Sequence, residues 1–408
     1  MEPRPGTDAD AVQGQVPRLV YEPATVDEAA EVLTRCAREQ HAVAFVGGGT
    51  ELGLGPPPSA LDAVLRTSRL DRLVEHAPAD QIVTVEAGMT LAALQRLLAP
   101  HHQWLALDPP WPERATVGGI VAANSFGARR ARYGSVRDLV IGVSMIRADG
   151  TRAKGGGKVV KNVAGFDLPR LLVGSLGTLG LVATATFRLH PRPESAATVL
   201  LPDLAPGQVW ELARAWRERQ LEPTSAAALA VSDRLDLGVR FEGFAPGVAQ
   251  QVERLLEVAR GPGLAAERLD DAAAASFWER HDAVRTGGPL RAKVSAPPSR
   301  LGEVSRSVLA PLLGELSPAS AAWYPSLGLG FVAGRPASPA GVARAVEEAR
   351  RALAPQGGSL VLCDAPAEVR ASVDPWGPPP AAFALMEEVK QRLDPDRRLN
   401  PGRFVGGL

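Results

Sequence analysis

Four stretches close together in the chain decide its reading: Ala115-Thr116-Val117-Gly118-Gly119, Arg132-Tyr133-Gly134-Ser135-Val136-Arg137-Asp138, the run Gly155 to Asp167, and Gly174-Ser175-Leu176-Gly177-Thr178-Leu179-Gly180. Glycine recurs between short apolar segments and sits beside Asn, Thr and Ser. That pattern suits backbone which must approach a large flat ligand closely. The span from Arg114 to Leu189 is read as the wall of such a pocket, and the rest of the chain as its support or closure.

The chain has 408 residues, enough for two to three domains with sizeable cores. Its formal net charge is zero, which gives no reason to expect nucleic acid as a partner. No apolar run reaches the length of a membrane span. Met1 to Gln15 is polar and acidic, without a signal-peptide core, and is expected to be a disordered lead-in over residues 1–16. The two cysteines, Cys36 and Cys363, are too few for a zinc or iron–sulfur site and are expected to be buried thiols, with no metal site elsewhere. Arg is favoured over Lys throughout, yet Lys154, Lys158 and Lys161 cluster in the central span. A compact cation approaching a ring or phosphate is one reading of that cluster; placement on a solvated loop is the other.

Taken in order, Thr25-Val26-Asp27-Glu28 is a capping box that opens a helix reaching about Gln40. Val43 to Val46 reads as a buried strand that runs into Gly47-Gly48-Gly49-Thr50-Glu51-Leu52-Gly53. A strand followed by a glycine loop suggests an anion nest of backbone N–H groups. The dinucleotide fingerprint fails, because the sixth position is Leu52, and Pro56 to Pro58 exclude a following helix. Gln81 to Glu86 is a second strand. Thr90 caps a helix with Leu91, Leu94 and Leu98, and Thr116 caps a short one over 118–123. Leu139 to Ile146 pairs with Thr151 to Lys154 across Asp149-Gly150. Asp167 caps a helix to Val173, and Val182 to Leu189 is a last strand before Pro191 and Pro193.

Residues 17–193 resemble the FAD-binding domain of the vanillyl-alcohol oxidase / p-cresol methylhydroxylase (PCMH) type. The matching pieces are Gly47 to Thr50, Thr84 to Gly88, Ala115 to Gly119, Arg132 to Asp138, Lys161 to Asp167 and Gly174 to Gly180. Each alone is weak; the ordered set over nearly half the chain is not. The ending Leu399-Asn400-Pro401-Gly402-Arg403-Phe404 also looks like that family's. Within it, Arg129-Arg130 to Asp138 and Lys161 to Gly165 resemble the FAD-binding subunits of bacterial glycolate oxidases. The resemblance implies an α+β protein with a two-subdomain FAD-binding domain, a ferredoxin-like cap over 194–375, and a C-terminal segment, 376–408, that packs back on the FAD domain. It implies that Gly47, Gly48, Gly49 and Thr50 hold the pyrophosphate. Ala115, Thr116, Gly118, Gly119, Ala123 and Asn124 would run along pyrophosphate and isoalloxazine, Asn162, Ala164 and Gly165 would line the flavin edge, and Gly177, Thr178 and Val182 would lie near the ring or ribityl chain. Gly127, Gly134 and Ser135 join the same cofactor set. The glycine loop has no histidine for covalent attachment, so FAD is expected to be noncovalent. The His-x-Gly-Asp-Gly-Asn-x-His metal segment of catalytic hydroxyacid members has no counterpart between Glu194 and Pro375, where His281 is the only histidine.

The second domain reads as two β-α-β-β-α units: strands at 197–201, 226–231 and 238–242 with helices at 206–220 and 247–260, then strands at 290–295, 321–326, 329–333 and 358–362 with helices at 299–313 and 338–353. A proline-rich coil over 364–380 leads to a helix over 383–393. Arg291 and Lys293 share a strand face by period two and are candidates to meet a carboxylate. Tyr324 is a third catalytic candidate, and His281 reads as a surface residue.

Three functions follow from these residues and the resemblance. The first is an FAD-binding subunit of a glycolate oxidase complex acting on a small 2-hydroxyacid, with a second FAD-containing catalytic subunit and an iron–sulfur subunit as partners. It implies a cytoplasmic location, with membrane association only through partners. The second is a self-sufficient FAD dehydrogenase of a small hydroxyacid or alcohol that uses Lys293, Tyr324 or Arg403. The third is a non-redox scaffold.

Overall fold

The computed structural model describes residues 1–158, 165–231 and 233–408 and is mixed α+β. It divides into two compact units: Met1–Gly127, Gly134–Pro191 and Pro378–Leu408 form the first, and Ala128–Tyr133 with Arg192–Gly377 the second.

The first unit is built on two sheets. The smaller has the order Arg4–Pro5, Leu19–Tyr21, Ala63–Arg66, Val43–Val46, and its last three strands are mutually parallel. The crossover between Leu19–Tyr21 and Val43–Val46 is the helix Val26–Arg38, where Thr25 Oγ1 accepts from Glu28 N at 3.1 Å and Glu28 reaches back to Ala24 N at 2.7 Å. Ala29, Val32, Leu33 and Cys36 recur at helical spacing and are all buried. The larger sheet is antiparallel, in the order Leu73–Ala77, Ile82–Glu86, Leu181–Arg188, Val140–Ile146, Arg152–Gly156. One of its faces buries Val83, Val85, Val143, Met145 and Phe187 against the helices Leu91–Leu98 and Val117–Ala123.

The C-terminal helix Phe383–Leu393 carries a fully buried lysine. Lys390 Nζ donates to Asp394 Oδ2 (2.7 Å), Thr178 O (2.8 Å) and Leu399 O (3.0 Å), which uses all three of its protons. The Asp394 carboxylate also accepts from Arg398 N and Leu399 N. Burial pulls the Lys390 ammonium below its ordinary range while Asp394 opposes that shift. The pair positions Arg398 to Asn400 beside the strand Val43–Val46: Val43 N donates to Arg398 O, and Asn400 N to Val43 O, both at 2.8 Å.

Two expectations fail. Met1 to Gln15 is not a disordered lead-in. Arg4–Pro5 pairs with Leu19–Val20, Val12 packs on Val20, Ala44 and Val64, and the buried Asp10 carboxylate accepts from Arg4 (2.7 Å) and Arg66 (2.9 Å). Val12, the ion-paired Asp10 carboxylate, and the Gln13 and Gln15 amides, which donate to Leu52 O, Gly55 O and Pro58 O, hold this segment, and none leaves a periodic trace. The two thiols also differ: Cys36 is buried, with its thiol pushed up to about 11 by loss of water, whereas Cys363 is only half-buried.

The second unit is one antiparallel sheet of eight strands, ordered Glu267–Arg268, Ser195–Leu204, Arg234–Gly243, Ser225–Val231, Leu316–Tyr324, Leu329–Pro336, Leu290–Ser295, Ser359–Asp364. It is two β-α-β-β-α repeats joined through the central pair Ser225–Val231 and Leu316–Tyr324. The helices Pro206–Glu218, Ala245–Arg260 and Pro339–Leu353 bury Leu212, Trp216, Leu255 and Val346 in a shared core on one face. The helix Asp271–Thr286 packs on the strands Leu316–Tyr324 and Leu329–Pro336 through His281 and Arg285, while its Phe277 lies over Gly238 of the strand Arg234–Gly243. Ala128–Tyr133 belongs to this unit because Arg129 pairs at 3.1 Å with Glu242, a buried carboxylate that Arg240 also approaches.

Replacing Lys390 with Met strands a buried Asp394 carboxylate and is expected to cost about 3–5 kcal/mol, read as a lower denaturant midpoint. Paired arginines hold the Asp10 carboxyl far below its usual range. Its contribution is therefore present above the ordinary carboxylate pKa of about 4 and is lost as pH falls through the depressed folded value. Residues 1–15 are expected to lose hydrogen-exchange protection, corrected for intrinsic rates, in Asp10→Asn at pH 7, while the native chain keeps most of it down to the ordinary carboxylate pKa of about 4.

Candidate functional site

The glycine loop after Val46 meets the segment before the helix Val117–Ala123 backbone to backbone. A Cβ on Gly48 would lie 1.7 Å from Arg114 O, and one on Gly47 would lie 2.1 Å from Thr116 Oγ1. Ser125 Oγ donates to Glu51 Oε1 at 2.8 Å and ties the far end of the same loop. The loop Gly174–Gly180 joins them: Gly174 N donates to Val121 O and Leu176 N to Ala122 O, while Gly177 (φ +71°) fits against Phe45 and Asn400 Nδ2. Asn400 Nδ2 also donates to Leu176 O at 2.9 Å. Three glycine-rich segments far apart in sequence thus converge.

Polar groups without partners lie at this convergence. Among the described residues, the N–H groups of Gly47, Gly48, Gly49 and Thr50 find no acceptor. Gly49 is left-handed (φ +71°), the kind of conformation that turns successive N–H groups into a concave anion nest. Asn124 Oδ1 and Ser175 Oγ are buried and without a partner, with Asn124 Cβ 3.7 Å from where a Cβ on Gly174 would fall. Unsatisfied buried groups are rare in folded proteins and mark sites completed by something else. A nest for a pyrophosphate beside an amide oxygen and a hydroxyl fits a dinucleotide.

The helix Val117–Ala123 does not offer its own N-terminus. Val117 N, Gly118 N and Gly119 N donate to Met89 O (2.8 Å), Ala87 O (2.7 Å) and Thr116 Oγ1 (3.3 Å). Ala115 N likewise donates to Trp111 O. Ala115, Thr116, Gly118 and Gly119 therefore shape the wall rather than donate to an anion.

Other expected residues sit in structural settings. Gly134 (φ +82°) turns the chain into Ser135, whose N and Oγ both bond Asp138 Oδ2 as a helix cap. Gly127 leaves room for Asp108. Thr178 Oγ1 donates to Ser175 O at 2.7 Å, and Val182 packs in the core of the larger sheet. Ala123 closes the short helix that ends at Asn124. Gly165 is exposed, and Asn162 and Ala164, with Lys161, lie outside the described residues. Of the other clustered lysines, Lys158 pairs with Glu75 at 2.5 Å. Arg403 holds Leu52 O, Leu54 O and Pro56 O, which makes it a brace for the loop after Thr50 rather than a catalytic group. Ser175 is the residue that sequence reasoning passed over; its signal was a lone hydroxyl between two glycines.

The second unit holds a separate buried polar cluster. Tyr324 OH lies 2.7 Å from His281 Nε2 and 3.0 Å from Arg285 Nη1. Because Arg285 can only donate, the hydroxyl donates to Nε2, which leaves Nδ1–H to donate to Asp282 Oδ1 at 2.9 Å. His281 is thus not a surface residue: it is 3% exposed, held by Tyr324 in mid-helix. Strand register places Arg291, Lys293, Tyr324 and Phe331 on the sheet face that this helix covers. Arg291 is buried and bonds Asp364 (3.0 Å), which also accepts from Arg370 (2.5 Å); Lys293 is half-buried. Arg285 stacks over Phe331 at 4.1 Å. The arrangement can relay a proton along Tyr324–His281–Asp282 beside an excess of cationic charge.

Residues 17–156 match the FAD binding domain family. The chain is similar to the glycolate oxidase subunit GlcD of Bacillus subtilis, 35% identical over 193 residues, or 47% of this chain and 41% of the relative. It is also similar to the glycolate oxidase subunit GlcE of Escherichia coli, 32% identical over 214 residues, or 52% of this chain and 59% of the relative. The matches thus span about half the length of these relatives. An alkyldihydroxyacetonephosphate synthase structure matches 95% of this chain and 78% of its own with a TM-score of 0.71 at 16% identity, which shows a shared fold.

Replacing Gly48 with Val forces apart the Gly47–Thr50 loop and Arg114 and is expected to abolish flavin retention through desalting. Asn124→Gly removes an unpartnered oxygen and keeps the left-handed turn (φ +50°) that ends the helix. Flavin affinity is expected to fall about tenfold, the equivalent of about 1.4 kcal/mol, with the melting temperature of the flavin-free protein unchanged.

Proposed function

We propose that this chain is the FAD-binding subunit of a glycolate oxidase-like complex and takes part in the oxidation of a small 2-hydroxyacid. The observation that carries the reading is the unpartnered N–H nest of Gly47 to Thr50 beside Asn124 and Ser175, inside a segment matched by the FAD binding domain family. Similarity to two glycolate oxidase subunits supports the substrate class. FAD, held noncovalently, supplies a two-electron acceptor for hydride from a CH–OH carbon.

The chain's own contributions are then binding and proton handling. The Gly47–Thr50 amides neutralise pyrophosphate charge, and Asn124 and Ser175 fix the cofactor's polar edges. In the second unit Arg291 and Lys293 are candidates for a substrate carboxylate. Tyr324 is the candidate proton acceptor, oriented by His281 and Arg285. A partner flavoprotein and an iron–sulfur protein complete the complex in this reading, with electrons passing onward from this chain. A second reading, a self-sufficient hydroxyacid dehydrogenase, is favoured by the Tyr324–His281–Asp282 relay, since a chain that only relays electrons has no use for a proton acceptor.

The purified chain is expected to show flavin absorbance that acid precipitation releases into the supernatant. Its flavin is expected to stay oxidised when glycolate or D-lactate is added anaerobically to the chain alone, and to bleach only with the partner subunits present. Absence of bound flavin after reconstitution with FAD rejects both readings. Bleaching by the chain alone, slowed at least tenfold in Tyr324→Phe, selects the self-sufficient dehydrogenase.

A further inference from the structure

The other face of the second unit's sheet carries a cleft that the redox reading does not use. Its origin is in the sequence: the strand Ser225–Val231 places Ala226, Ala228 and Ala230 on one face by period two. Side chains this small do not fill the space between the start of the helix Pro206–Glu218 and the helical segment Leu301–Gly314. The result is a half-open cleft of about 670 Å³ walled by Ala228, Ala230, Leu235, Leu301, Leu309 and Trp323. Its helical wall includes a π-turn over Ser305–Leu309, a widened turn often found at functional sites.

One buried polar group borders the cleft. Trp323 is 1% exposed, and its indole Nε1 has no hydrogen-bond partner. The ring's orientation follows from its neighbours. Its Cε3–Cζ3 edge lies against Gly330, where a Cβ would fall 2.6 Å from Cε3 and 3.0 Å from Cζ3. Gly330 is the register partner of Trp323 on one side and Ala228 on the other. With its benzo edge over Gly330, the indole turns its N–H edge toward the Ala228 side, where only a methyl group stands. Burying an N–H without an acceptor is unfavourable, and tryptophan in a core normally finds a partner for it. At the mouth, Arg306 is exposed and without an ion-pair partner among the described residues, while Arg234 is already held by Asp203.

We propose that this cleft is a binding site for a small apolar molecule bearing a hydrogen-bond-accepting oxygen, which Trp323 Nε1 recognises. Alanine and leucine walls take the carbon skeleton, and the volume falls in the range of small-molecule pockets. A carboxylate brings the added attraction of Arg306; a ketone offers the acceptor alone. The site lies wholly within the second unit and is independent of FAD binding and of the redox reading.

The test is the indole N–H spectrum of the full ¹⁵N-labelled chain, which has seven tryptophans. Trp323→Phe assigns the signal. The probes are 4-phenyl-2-butanone, 4-phenylbutyrate and the hydrocarbon butylbenzene. Saturable movement of the Trp323 signal by the ketone or the acid, and not by the hydrocarbon, is expected. Ala230→Leu fills the cleft from its half-buried rim and should weaken that binding at least tenfold while the other indole signals stay in place. Tighter binding of the acid that Arg306→Ala removes assigns an anionic ligand class; equal binding of acid and ketone assigns a neutral one. A Trp323 signal unmoved by millimolar ketone and acid overturns the proposal, as does binding that Ala230→Leu leaves unchanged. Flavin content of the same samples reports separately on the redox reading.

Discussion

The first unit depends on one steric condition: backbone at Gly48 touches backbone at Arg114, and backbone at Gly47 touches the Thr116 hydroxyl, with no room for a Cβ at either glycine. A Cβ at Gly48 would sit inside bonding distance of the Arg114 carbonyl. The same condition recurs at Gly88, where a Cβ would fall 1.8 Å from Thr67 O, and at Gly118, where it would fall 2.6 Å from Ala87 Cβ. Loops that meet in this way can bring main-chain N–H groups and a few short polar side chains to one place. Larger residues would hold the segments several ångströms apart, and the nest at Gly47 to Thr50 would face solvent rather than a wall.

A second condition fixes the loop Gly174–Gly180. Its carbonyls at Leu176 and Thr178 are held by Asn400 and Lys390 from the C-terminal segment. The ammonium at position 390 is compact and offers three donors in a tetrahedral spread, matching one carboxylate and two carbonyl oxygens. A planar guanidinium does not match that arrangement. In a chain that otherwise favours Arg, this lysine has a structural reason for its type. Clustering in the sequence points instead to Lys154, Lys158 and Lys161. Lys158 pairs on the surface, and buried demand for an ammonium sits where only one lysine occurs.

Much of the fold was legible because it rests on local signals. The cap at Thr25, the cap at Thr116, the alternating strands and the repeated β-α-β-β-α order are all patterned in the sequence, and the structure shows each of them; the expected capping box at Thr25 is only half formed, since Glu28 bonds Ala24 N. What was not legible depends on partners distant in sequence. Asp10 is ordered by Arg66, Ala128–Tyr133 leaves the first unit because Arg129 meets Glu242, and His281 is buried because Tyr324 waits beneath it. None of these pairings leaves a period or a motif. The cofactor wall shows the same division. The glycines marked where loops converge, but whether an N–H faces a ligand or a neighbouring carbonyl depended on acceptors at Ala87, Met89 and Trp111.

The order of the chain has a consequence for biosynthesis. The strand Val43–Val46 and the glycine loop are among the early parts to leave the ribosome, yet the residues that brace them, Lys390 to Arg403, follow the whole of the second unit. Until translation has passed that point, the nascent first unit lacks its bracing hydrogen bonds at Val43, Leu176 and Thr178. The intervening repeats can meanwhile condense around their own core. The glycine loops reach their final spacing only once that trailing segment has been made.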